Sequence, residues 1–183
     1  MELPADWSEF LGLLSRHRVK FLLIGAHALA AHGRVRATLD LDVFIEPSVA
    51  NTRRLGAALA EFGFAAHGAR ARELATADRM LRLGNEPYRI DILNQISGVS
   101  FARAWKHRVR SELGGHTVHV LSLADFRANK LASGRAKDLL DLAILDEGAT
   151  RAAVRSPSKR RRRAAPRSRT RGTAGPRTRT KRR

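Results

Sequence analysis

The stretch Arg36-Ala37-Thr38-Leu39-Asp40-Leu41-Asp42-Val43-Phe44-Ile45 constrains the fold more than any other, because it reads as a β-strand whose residues each take an assigned face. Side chains on a strand alternate sides. Leu41, Val43 and Ile45 point one way, and Asp40 and Asp42 point the other. Two carboxylates on one face repel unless something positive lies between them. A divalent metal ion is one solution, since carboxylate oxygens suit magnesium. Asp-x-Asp also occurs in many surface loops, so a polar strand edge is the alternative reading.

The segments before and after it alternate between helix and strand. Ala5 to His17 predicts a helix, with Trp7, Phe10, Leu11 and Leu14 on one side. Val19 to Ile24 is apolar at nearly every position and predicts a buried strand that ends at Gly25. Gly25-Ala26 is expected to turn the chain into a short helix over 28–31, stopped by Gly33. A helix is expected over 49–62, with Val49, Leu55, Leu59 and Phe62 inward. Residues 63–78 carry no clear pattern. Strands are expected over 80–83 and 88–93, joined by the turn-rich Gly84-Asn85-Glu86-Pro87.

A short helix over 101–107 and a hairpin over 109–121 around Gly114-Gly115 follow. Ser122-Leu123-Ala124-Asp125 resembles a capping box and opens a helix to about Ser133, where Gly134 breaks it. Arg135 to Asp146 predicts a last, largely apolar and buried helix. The expected class is α+β: a mixed central sheet flanked by helices, with a C-terminal helical part over 122–147 packed on it.

The net charge of +18 is unevenly placed. Residues 151–183 hold 15 Lys+Arg and no acid, which leaves 18 − 15 = +3 for residues 1–150. The expected organisation is one domain over 1–150 and a disordered Arg-rich tail over 151–183. There is no cysteine, which excludes disulfides, thiol nucleophiles and Cys-based zinc sites. The acidic start lacks the pattern of a secretory signal, and the apolar run from Phe21 to Ala31 is too short to span a bilayer. A soluble, cytoplasmic protein with no membrane partner is expected.

Three further residues could join the two aspartates. Asp91 interrupts an apolar strand, so it is paired, metal-bound or at the sheet's rim; a pair with Arg89 on the same face is the ordinary alternative. Lys130 falls on the inward stripe of its helix, where it either snorkels outward or reaches into a cleft. Asp138 shares a stripe with Leu142 and Leu145; the alternative there is an acid serving the helix dipole. Gly25 follows a strand and precedes a helix, which could turn backbone N–H groups toward an anion, although no Walker loop or Gly-x-Gly-x-x-Gly is present. Arg34 and Arg36 could meet phosphate or be simply exposed. The histidines show no metal-ligand spacing.

Gly25-Ala26, then Arg36-Ala37-Thr38-Leu39-Asp40-Leu41-Asp42, then the isolated Asp91, resemble the DNA polymerase-β-type nucleotidyltransferase superfamily. Lys130 and the run from Gly134 to Leu142 bring the pattern closer to the AbiEii-like nucleotidyltransferases, the toxin half of some type IV toxin–antitoxin pairs. The resemblance covers about residues 15–146. Ala26 stands where that group has Gly or Ser.

The resemblance implies an enzyme that moves a nucleoside monophosphate from an NTP such as ATP to an acceptor: an RNA 3′ end, a protein or a small molecule. It implies that Asp40, Asp42 and Asp91 are catalytic and hold two Mg2+ ions about 3.5–4 Å apart. Gly25, Ala26, Arg36, Thr38, Lys130 and Asp138 would bind the nucleotide or orient those that do. Two other classes stay open. One is a nucleotidyltransferase-like binding module without turnover, for which Ala26 speaks. The other is a nucleic-acid-binding protein acting through residues 151–183, since clustered arginine attracts phosphate without sequence preference.

Overall fold

The computed structural model describes the backbone of residues 3–76, 78–85 and 87–155 and the side chains through residue 146. Its helices are α1 (Ala5–Arg16), α2 (Gly25–Ala31), α3 (Val49–Glu61), α4 (Gly68–Glu73), α5 (Phe101–His107), α6 (Leu123–Ser133) and α7 (Ala136–Arg155). Its strands are β1 (Phe21–Leu23), β2 (Asp40–Ile45), β3 (Met80–Leu83), β4 (Arg89–Leu93), β5 (Val109–Leu113) and β6 (His116–Val120). They form one mixed sheet in the order β3-β4-β2-β1-β6-β5. The α+β class with a mixed sheet and flanking helices is the one read from the sequence.

β2 lies at the middle of this order, antiparallel to β1 and parallel to β4. The alternation along it sets its register. Leu41, Val43 and Ile45 are fully buried, while Asp40 and Asp42 stay partly exposed on the other face. A slip of one residue would bury both carboxylates and expose the aliphatics, each worth about 1.5–3 kcal/mol when buried. The buried core around β1 and β2 includes Phe10 and Leu14 of α1, Leu22, Phe44, and Leu55 and Leu59 of α3.

Several elements depart from the sequence reading for local reasons. β1 starts at Phe21 rather than Val19, because the buried Asn51 side chain takes up the Lys20 backbone: Lys20 N–H donates to Asn51 Oδ1 at 2.7 Å, and Asn51 Nδ2 donates to the Lys20 carbonyl at 3.0 Å. α2 begins at Gly25 itself, so Ala26 is in its first turn rather than in a turn before it. The strand of the Asp-x-Asp stretch starts only at Asp40, where Thr38 Oγ1 donates to the Asp40 carbonyl and accepts from the Asp40 N–H. Val49, expected inward, is exposed just after the Ser48 cap of α3.

The two C-terminal helices form where the sequence placed them, with differences in extent. Ser122 caps α6 by accepting from Asp125 N–H at 3.1 Å, and Gly134 ends it in the left-handed region at φ 64°. α7 runs past Asp146 to Arg155 and so crosses the expected boundary at residue 150. It is not apolar all round: Leu139 and Leu140 are exposed, and its inner face carries Asp138, Asp141, Leu142 and Leu145. From residue 156 on, the expected basic tail lies outside the described residues. Among the described residues no helix is long and apolar enough to cross a membrane.

Candidate active site

A cleft of about 510 Å³ opens where the C-terminal part faces the Asp-bearing side of the sheet. Six of the residues singled out in the sequence line it: Gly25, Arg36, Asp40, Asp42, Asp91 and Lys130. The sheet places the acids. β2 and β4 are parallel and in register, with Asp42 beside Asp91 and Asp40 beside Arg89. Like charges directly across neighbouring strands repel.

The three carboxylates are not equivalent. Asp91 is buried and held by both arms of Arg82, with Nε donating to Oδ1 at 2.8 Å and an Nη donating to Oδ2 at 3.0 Å. Asp40 accepts from Arg89 at 2.8 Å. The expected alternative, a pair between Asp91 and Arg89 on one strand, is therefore not what forms. Arg82 is the register partner of Asp91 in the β3–β4 hairpin, and Asp40 is the register partner of Arg89. Directly opposite residues are closer than i and i+2 along a strand.

Among the described residues the Asp42 carboxylate has no hydrogen-bond or ion-pair partner. Burial pushes its pKa up, the neighbouring Asp91 and Asp40 carboxylates push it the same way, and Lys137 and Lys130 pull it down. Gly25 stands against it. A Cβ added at Gly25 would fall 2.1 Å from Asp42 Oδ2, and its φ of +61° lies in the region that glycine alone adopts freely. Glycine is thus required twice over, by conformation and by the close approach of the carboxylate.

Lys130 does not snorkel. It is buried, with Nζ 2.6 Å from Asp138 Oδ1 and 2.8 Å from Asp141 Oδ2. The second contact has ion-pair distance without hydrogen-bond alignment, since Asp141 Oδ2 counts as unbonded by geometry. Both aspartates are fully buried. Arg135 Nε donates to Asp138 at 2.8 Å, and Arg36 Nε donates to Asp141 at 2.9 Å. Burial pushes the Asp138 carboxyl up, but hydrogen bonds from Lys130, Arg135 and Ser133 outweigh it and hold its pKa far below the usual carboxylate range. This cluster ties α6, α7 and the segment before β2 together at the cleft wall.

Ala26, Thr38 and Asp138 do not line the cleft. Ala26 is buried on α2, Thr38 braces the start of β2 and borders an adjoining groove, and Asp138 sits behind Lys130. The sequence reading missed Arg82, Arg89, Arg135 and Lys137 as cleft cations and Asp141 as the second partner of Lys130. The hairpin register would have found Arg82, since pairing Leu83 with Ile90 sets Arg82 opposite Asp91. The histidines are structural where they bond, as in His116 with Ser8 Oγ at 2.8 Å and His32 with the Leu121 carbonyl at 2.7 Å.

Among the described residues no group of three or more His, Cys, Asp or Glu is gathered as a ready metal site. Asp40, Asp42 and Asp91 share the cleft, yet two of the three hold arginines. The donor chemistry still suits a hard divalent cation: the three acids offer only oxygens, and Asp42 has no partner.

No protein-family model and no curated protein matches the sequence. Among solved structures, a Thermotoga maritima protein described as a putative nucleotidyltransferase is similar, with a TM-score of 0.47 and 13% identity over 84% of this chain and 94% of that one. At that distance the likeness carries no chemistry to individual residues, which rests on the cleft itself.

Proposed function

We propose that the cleft is the active site of a nucleotidyltransferase that moves a nucleoside monophosphate from an NTP to an acceptor hydroxyl. The observation that carries this reading is Asp42. It is a partly buried carboxylate without a partner, flanked by Asp91 and Asp40, against a glycine backbone, in a cleft that also presents six cationic side chains. Clustered acids beside several cations suit a ligand that is itself a polyanion with metal counter-ions.

In the reaction, the acceptor hydroxyl gives its proton up to solvent as its oxygen bonds to the α-phosphorus of the NTP. The bond from that phosphorus to the bridging oxygen breaks, and pyrophosphate leaves with the electron pair. Mg2+, held by Asp40, Asp42 and Asp91, would supply Lewis-acid charge to the attacking hydroxyl and the leaving group. The protein's own part is positioning. Gly25 leaves room for the Asp42 carboxylate against the backbone. Lys130, fixed by Asp138 and Asp141, and Arg36, fixed by Asp141, present charge to the triphosphate from the opposite wall. The narrower reading, an AbiEii-like toxin, is supported by the order of Asp40, Asp42, Lys130 and Asp138 in the chain.

One observation favours a second reading. Arg82 and Arg89 occupy the carboxylates of Asp91 and Asp40, as in a module that binds nucleotide without turning it over. A thermal melt with Mg2+ and each NTP, followed by assay of pyrophosphate release with RNA or lysate as acceptor, separates the readings. The enzyme gives both a melting rise of about 5–10 °C at an NTP excess of about a hundredfold over Kd and pyrophosphate release. A module gives the rise alone, and a cleft that binds no nucleotide gives neither.

A further inference from the structure

Arg82 and Arg89 are the cations that hold the acid face of the cleft together. We infer that they are exchangeable counter-ions: an incoming triphosphate draws them off Asp91 and Asp40, and divalent cations take their place, so nucleotide and metal bind as a coupled pair. This rests on the nucleotidyltransferase reading and extends it to two residues and an order of events.

The geometry supports exchange in three ways. First, the planar guanidinium fork fits a carboxylate and a phosphate equally well, so the same side chain can serve both partners. Second, both arginines reach solvent at the cleft. The Arg82 side chain is 46% exposed and Arg89 is 24% exposed, and both line the cleft with the acids they hold. Third, the acids cannot be left bare. Asp91 is buried, and stripping it of Arg82 without a replacement is costly. An arginine leaves Asp91 only when another cation arrives.

Charge balance gives the coupling. Asp40, Asp42 and Asp91 with these two guanidiniums carry one net negative charge between them. Divalent cations alone would have to enter beside the two arginines. A triphosphate alone would have to enter beside the three carboxylates. Together they nearly cancel, and each arginine exchanges a cleft carboxylate for a phosphate.

The test uses the full-length protein with Mn2+ alone, read by its electron paramagnetic resonance, and inorganic tripolyphosphate in the presence of EDTA, read by calorimetry. Arg82→Gln/Arg89→Gln is expected to bind Mn2+ about tenfold or more tightly than the wild type and tripolyphosphate about tenfold or more weakly. Arg53→Gln removes an exposed cation on α3 that does not line the cleft and controls for the change in overall charge. Its effect on Mn2+ is expected to be about twofold or less, as for a solvent-exposed charge. If the double variant fails to fold, Arg82→Gln alone carries the same opposite signs.

A double variant whose Mn2+ affinity stays within the Arg53→Gln change overturns the exchange. The nucleotidyltransferase reading survives that result if Mn2+ with ATP still binds the wild type and Asp42→Asn removes the binding. Mn2+ that binds no variant, with or without ATP, or that binds unchanged after Asp42→Asn, removes the reading and the exchange together.

Discussion

Replacing Lys130 by methionine tests the clasp between the C-terminal helices and the sheet. The change keeps the length and apolar body of the side chain and removes its charge. Asp138 and Asp141 are fully buried, and Lys130 sits within 2.8 Å of both. Removing one partner of a buried pair costs about 3–5 kcal/mol, because a charge is left buried without compensation. Arg135 and Arg36 remain on the two aspartates, which places the expected loss near 3 kcal/mol, or about 6–12 °C in melting temperature for a chain of this size.

The loss should depend on pH in a defined direction. The folded pKa of Asp138 is depressed, so its stabilisation is complete above the unfolded value, about 3.9, and is lost as pH falls through the folded one. The gap between wild type and Lys130→Met is therefore full at pH 7 and narrows below about pH 4. Urea unfolding followed by circular dichroism at pH 7 and pH 3.5 measures both. Lys130→Met/Asp138→Leu should recover part of the loss, since an apolar replacement for a buried pair is often neutral. A loss under about 1 kcal/mol at pH 7 would contradict the buried-clasp argument, since that is the range of a surface ion pair. So would a gap that does not change with pH.

Two further outcomes are expected. Gly25→Ala should abolish Mg2+-dependent NTP binding in a thermal shift and cost about 1 kcal/mol or more of stability, because its methyl group meets Asp42 and its φ is positive. Retained binding would mean that Asp42 can retreat and is not fixed in the cleft. Deleting residues 151–183 removes 15 basic residues, so RNA affinity and the slope of its salt dependence should both fall in a filter-binding titration. An unchanged slope would place any RNA contact on the folded part.

Much of this arrangement was legible in the sequence where one short-range rule decides the outcome. Strand alternation separates Asp42 from Leu41 and Val43, helix periodicity turns Lys130 inward, and Gly134 marks the end of α6. The features that escaped depend on which strands become neighbours. The hairpin register sets Arg82 opposite Asp91, but nothing local to either strand says that Arg89 turns to Asp40 on β2. Lys20 could not show that Asn51 would claim its backbone and shorten β1. Asp141 was visible in the same run as Asp138, but its role needed Arg36, 105 residues earlier, to be folded against it. The fold class followed from local patterns, while the ion-pair network required tertiary register.

The central claim is that the carboxylates around Asp42 carry nucleotidyl transfer. The most direct measurement incubates wild type and Asp42→Asn with Mg2+, each α-32P-labelled NTP, total RNA and cell lysate, and resolves the labelled products. The account predicts label covalently attached to an acceptor by the wild type, and none above background by Asp42→Asn at a matched circular dichroism spectrum. Equal transfer by a folded Asp42→Asn would contradict it.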